Sequence, residues 1–194
     1  MHNFNSDITV FINQGVGYWP TLDYVFVLIT SYITYTVLIL ILLYFCTLPF
    51  RIQDMRERLR AIARAFETVF SMSVVYIVVK ALKLIIAHPR PFEVIPDITT
   101  LVHAAPLESF PSMHAALTMA LAIAVLPYRK HFGHLLIAFS LVVSLSRLYV
   151  GVHYPFDIGG GLLLGYLIPK AIHRIFSPRW GKEGNSIAQI DKKA

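Results

Sequence analysis

A single cysteine, Cys46, is all the thiol that this 194-residue sequence holds. No intramolecular disulfide and no cysteine-based metal cluster can form, so the sequence carries no redox-compartment signal. Charge is scarce as well: 14% of residues are Asp, Glu, Lys or Arg, where a soluble domain carries about a quarter. Residues 1–23 contain no Lys or Arg, and they lack the basic start and cleavage site of a secretory signal. Insertion is therefore expected to be directed by the first spanning segment. Neither an internal repeat nor a low-complexity tract is present.

Apolar residues are what the sequence has in quantity. They make up 56% of it, and the mean hydropathy is +0.62. Length and composition together point to one all-α membrane domain, residues 1–176, followed by a polar, basic tail over 177–194 that is expected to be disordered. Runs long enough to span a bilayer cover Tyr24–Leu48 and Phe66–Ala87. Pro111–Leu126 makes a shorter third span that opens on a proline suited to a helix start. Leu135–Val150 and Pro155–Phe176 complete a predicted bundle of about five helices. The first twenty residues read as a short interfacial helix, with Tyr18 and Trp19 at headgroup level.

The net charge of +6 is distributed as membrane topology would place it. Five of the 17 Lys and Arg fall between Arg51 and Arg64, two are Arg129 and Lys130, and six lie from Lys170 to Lys193. Cytoplasmic loops collect such charge. This puts the N-terminus outside and the C-terminus inside, and it argues against a nucleic-acid partner. The Arg51–Arg64 segment reads as a cytoplasmic connector that anchors to lipid headgroups.

Four basic residues remain for the outer half: Lys80, Lys83, Arg90 and Arg147. Ionisable groups in spans cost roughly 2.5–3.5 kcal/mol each near the midplane and are functional candidates by default. With them at the outer helix ends lie Ser112, His114, His153 and Asp157. This set suits phosphoryl transfer. Lys83, Arg90 and Arg147 can hold phosphoryl oxygens and neutralise developing charge. Ser112 and the first N–H groups of span three add donors at a helix N-terminus. His153 can attack phosphorus as neutral imidazole, with Asp157 accepting from its other ring nitrogen. His114 is left as the proton donor to the leaving oxygen. No metal or other cofactor is required by this reading.

The segments KLIIAHPRP, PSMH and SRLYVGVHYPFD, in that order between Lys83 and Asp157, resemble the three motifs of the type-2 phosphatidic acid phosphatase superfamily, which also includes the vanadium haloperoxidases. The resemblance implies a membrane lipid phosphatase. Phosphate would be bound by Lys83, Arg90, Ser112 and Arg147, with His114 as general acid, His153 as nucleophile and Asp157 as its partner. Met113 stands where the second motif usually has Gly, and its backbone N–H remains available to phosphate. By analogy the first substrate expected is a polyprenyl diphosphate such as undecaprenyl diphosphate, then phosphatidylglycerol phosphate or phosphatidic acid. The setting expected is a bacterial inner membrane with the site facing the periplasm. The alternatives are phosphotransfer to a lipid or sugar acceptor, or a non-enzymatic transporter.

Outside the motifs, Lys80 is expected to line a polar gap between helices. Glu108 lies close enough to the second motif to influence headgroup access. Gly159, Gly160, Gly161 and Gly165 form a small-residue face, suited to packing within the bundle or in a homodimer.

Overall fold

The computed structural model describes residues 4–190, with side chains through residue 176. Among the described residues, all regular secondary structure is helical. Helix α1 (Phe4–Asn13) precedes a first span built from α2 (Pro20–Leu28), a π-helical turn (Ile29–Ile33) and α3 (Thr34–Thr47), which ends in a 3-10 turn (Leu48–Arg51). Helix α4 (Met55–Ile86) and the short α5 (Pro91–Val94) follow, then α6 (Met113–Val125), α7 (Lys130–Tyr149) and α8 (Pro155–Ile190).

The segment expected as a separate connector is instead the first part of α4. Asp54 caps this helix by accepting a 2.8 Å hydrogen bond from the Glu57 N–H. Beyond it lies no Gly or Pro until the chain leaves the helix at Ala87, whose φ is +44°. Thirty-two residues at about 1.5 Å each make this helix longer than a bilayer is thick. At the C-terminus the backbone of α8 is helical to Ile190. The side chains that would make that tail basic lie outside the described residues.

Among the described residues, three helical stretches are long and apolar enough to cross a membrane: Pro20–Arg51, Met55–Val94 and Lys130–Tyr149. The 13-residue α6 is different in kind. All its residues from Thr118 to Val125 are buried, which explains why it is apolar all round. It is the axis of the bundle. Leu38 and Phe45 of α3, Val75 and Val79 of α4 and Leu136 of α7 pack with Ala116, Ala120, Leu121 and Val125 of α6 in one core. Helix α8 closes the other side. A Cβ added at Gly161 or Gly165 would lie 2.5 or 2.4 Å from the carbonyl oxygens of Ser112 or Ala116. Gly161 and Gly165 of the small-residue face thus serve the intramolecular contact between α8 and α6. Leu40, Ile77 and Leu163, by contrast, are 59%, 64% and 57% exposed, as expected where lipid replaces water.

The two ends of the bundle are tied by polar contacts. At one end α1 lies against α7 and the long loop after α5. The Asn13 amide donates to the carbonyls of Thr99 and Tyr149, both at 2.9 Å, and accepts from the Thr99 N–H at 2.8 Å. A helix is therefore present where an interfacial one was expected, and it is pinned to the bundle. At the other end the Tyr128 hydroxyl donates to buried Glu67 of α4, and His173 Nδ1 of α8 lies 2.7 Å from the same carboxylate. Burial is the largest influence on the Tyr128 phenol and pushes its pKa up, with Glu67 reinforcing it.

Candidate active site

Each candidate side chain sits where a helix begins or ends. Lys83 is in the last turn of α4. Arg90 precedes Pro91 and is extended, at φ −79° and ψ 158°, as the proline ring requires of the residue before it. Ser112 is the N-cap of α6 and His114 its second residue. Arg147 is in the last turn of α7. That helix stops by a paired closure, with Gly151 N–H donating to the Leu148 carbonyl (3.1 Å) and Val152 N–H to the Arg147 carbonyl (3.4 Å). This Schellman arrangement needs a left-handed residue, and Gly151 supplies it at φ +77°. A Cβ there would also lie 2.8 Å from the Thr99 carbonyl oxygen. The turn delivers His153, and Pro155 restarts the chain as α8 with Asp157 in its first turn.

His153 is 2% exposed and lies between opposite charges. Its Nε2 is 3.4 Å from Arg90 Nη1, and its Nδ1 is 3.5 Å from Asp157 Oδ2. A guanidinium can only donate, so Nε2 is the nitrogen with the lone pair and Nδ1 carries the hydrogen toward Asp157. At 3.5 Å the second contact is too long for a full hydrogen bond. Asp157 Oδ2 is held firmly by others: it accepts from Ser109 Oγ at 2.5 Å and from the Tyr154 N–H at 2.7 Å. Burial is the main influence on the His153 imidazole and lowers its pKa to about 3. Asp157 acts against that shift, while Arg147 and Arg90 add to it.

The cations converge, but two of them are partly engaged by the loop before α6. Lys83 Nζ donates to the Glu108 carbonyl and lies 3.5 Å from that of Ser109. Arg90 donates through Nε to the Ala105 carbonyl (2.6 Å) and through Nη1 to that of Val152 (2.8 Å). His114 is within electrostatic reach of Arg147, His153, Arg90 and Lys83. Four buried polar atoms of the set have no hydrogen-bond partner among the described residues: Ser112 Oγ, His114 Nε2, Arg147 Nε and His153 Nδ1, the last facing Asp157 at 3.5 Å. Ser112 Oγ, His114 Nε2 and Arg147 Nε are each able to donate to a phosphoryl oxygen. The Met113 side chain packs against the central core, while its amide stands at the α6 N-terminus.

The structure thus brings together Lys83, Arg90, Ser112, His114, Arg147, His153 and Asp157. Lys80 pairs with Glu108, Nζ to Oε1 at 3.0 Å, and the hydrogen bond to Lys80 holds the Glu108 pKa below its ordinary value. Three contributors had no signal in the motifs. Ser109 precedes the second motif and reaches Asp157. Thr30 and Tyr35 come from the first span, Thr30 accepting from Arg147 and the Tyr35 ring standing edge-on to His114 with 5.1 Å between centroids.

The PAP2 superfamily profile matches residues 64–180. A Bacillus licheniformis protein named bacitracin transport permease protein BcrC is 28% identical over 163 residues, 84% of this chain and 76% of that relative. Undecaprenyl-diphosphatase BcrC of Bacillus subtilis (strain 168) is 39% identical over 85 residues, 44% of each chain. The matched stretch is thus under half the length of that second relative. In three dimensions the fold is similar to the crystal structure of Aquifex aeolicus LpxE, with a TM-score of 0.70 at 22% identity over 89% of this chain and 96% of that one.

Proposed function

The chain belongs to the PAP2 superfamily, and on that premise we propose that it is a membrane lipid phosphatase whose preferred substrate is a polyprenyl diphosphate, undecaprenyl diphosphate first. The observation that carries the chemistry is His153, buried, with its lone-pair nitrogen toward Arg90 and its N–H toward Asp157. The substrate follows from the Bacillus subtilis relative, whose name states that diphosphatase activity.

In this reading the Nε2 lone pair of His153 attacks the terminal phosphorus. Lys83, Arg90 and Arg147, with Ser112 and the first amides of α6, hold the phosphoryl oxygens as the P–O bond to the lipid phosphate breaks. His114 gives its proton to that leaving oxygen. It then takes a proton from a water whose oxygen attacks the phosphohistidine, and inorganic phosphate departs with His153 restored. Asp157 stabilises the imidazolium formed in between, and Ser109 and the Tyr154 amide keep Asp157 ionised and aimed. The site faces the outer side of a bacterial inner membrane, consistent with basic residues crowding the opposite end.

The test is phosphate release in detergent micelles containing EDTA, for wild type and His153→Ala, across a panel of lipid phosphates and diphosphates. Release that survives EDTA and falls by at least about a thousandfold in the variant is expected. Full activity in His153→Ala would exclude the phosphohistidine route. Label appearing in a second lipid, with no free phosphate, would make the protein a phosphotransferase. A permease, as the Bacillus licheniformis relative is named, would keep its function in His153→Ala.

A further inference from the structure

The family profile begins at residue 64, yet the catalytic set is completed by a segment well before it. The body of the first span is α-helical except at Ile29–Ile33, where one turn is π-helical. There the Thr34 N–H bonds the Ile29 carbonyl five residues back, and Thr34 Oγ1 donates to the same oxygen at 2.7 Å. The extra residue in the turn shifts the register of the helix face. Both Thr30 and Thr34 end up fully buried, at 0% exposure, in a segment whose neighbours Tyr32 and Ile33 are exposed. Thr30 Oγ1 then meets Arg147 Nη1 at 2.5 Å. It is the one side-chain hydrogen-bond partner of that guanidinium among the described residues, while Arg147 Nε has none. The oxygen ties one edge of the fork and leaves Nε unpaired.

We propose that Thr30, presented by the π turn, is a positioning residue: it sets the rotamer of Arg147 so that the guanidinium meets the phosphoryl group with its remaining donors. The Arg147 side chain has four bonds to rotate about, and a bidentate grip on phosphate depends on holding the guanidinium plane fixed. The proposal rests on the phosphatase reading for its kinetics but not for its anion-binding half, so the two can fail separately.

The experiment uses the full chain in detergent with Thr30→Val, Thr30→Ser and Thr30→Ala, each alone and in an Arg147→Lys background. Orthovanadate is the anion probe, followed by calorimetric titration. Val keeps the volume and removes the acceptor, so vanadate binding weakens and kcat/KM drops, each by about 10- to 100-fold, as loss of one hydrogen bond to a charged group implies. Ser restores both to within about threefold. In the Arg147→Lys background the Val substitution costs less than about threefold, because the fork it oriented is gone. Should Val not fold in the buried turn, Ala carries the same expectation. Vanadate affinity unchanged in Val or Ala, or losses that simply multiply with Arg147→Lys, would overturn the proposal. Absence of phosphate release from any lipid by wild type would instead count against the phosphatase reading, and the vanadate titration would still decide the role of Thr30.

Discussion

At the scale of single residues, the site is organised by which nitrogen or oxygen is already spoken for. Asp157 is held by Ser109 and by the Tyr154 amide, so its carboxylate cannot swing away from His153. Burial keeps the His153 imidazole neutral, with a folded pKa of about 3 against an ordinary value near 6.5. The sign follows directly. A group depressed in the folded state leaves stability intact above its unfolded pKa, and stability is lost as pH falls below it, because the unfolded chain takes up a proton that the buried ring refuses. Wild type should therefore lose ground to His153→Gln, which cannot charge, as pH falls from about 7 to 5. The difference between their melting temperatures in detergent is the measurement. A difference independent of pH would mean that His153 is not held neutral by its surroundings. Ser109 was invisible in the motifs for a simple reason: a serine in a polar loop has no periodicity, and its partner lies 48 residues away.

At the scale of elements, helix ends do the placing. Schellman closure at Gly151 turns α7 into the His153 segment, and the extended Arg90 follows from Pro91. Contact between α6 and α8 positions Ser112, because the Ser112 N–H donates to the Asp157 carbonyl at 3.0 Å while the Ser112 carbonyl meets Gly161. Gly161→Ala would place a methyl group 2.5 Å from that backbone oxygen, and neither helix can yield without moving the site. It should cost about 1–3 kcal/mol and reduce phosphate release even below its melting point. Gly159→Ala is the control. Nothing lies within 4 Å of a Cβ there, so it should be neutral or gain up to about 1 kcal/mol from helix propensity. Thermal melts and activity of the two variants give the answer, and equal behaviour would refute the assignment of this face to α6.

For the whole molecule, the distribution of charge and the position of the site make one statement about orientation. Lys83, Arg90, Ser112, His114, Arg147, His153 and Asp157 gather at the end of the bundle that carries α1 and the long loop, while Arg51 to Arg64 and Arg129 mark the other. With the basic end in the cytoplasm, Asp97→Cys in a Cys46→Ser background should react with a membrane-impermeant maleimide added to intact cells. A cysteine at Gln53 should react only after lysis. The reverse pattern would invert the topology and place the candidate site inside.

Much of this was legible in order along the chain. Apolar runs dictated an all-helical membrane protein because a bilayer leaves the backbone few alternatives. The three motifs picked out residues that the fold gathers at one end of the bundle, because each block lies where a helix begins or ends. Continuity was not legible: the charged Met55–Arg64 stretch and the apolar span after it are one helix, since side-chain polarity changes along α4 while its hydrogen bonding does not. Nor could a sequence show that Thr30 reaches across 117 residues to Arg147, that Asn13 ties α1 to the site's own loop, or that Lys83 and Arg90 engage carbonyls of residues 105–109. Local pattern determines which elements form and what chemistry they carry. Which side chains meet between elements far apart in the chain is decided by packing, and packing exists only in the folded bundle.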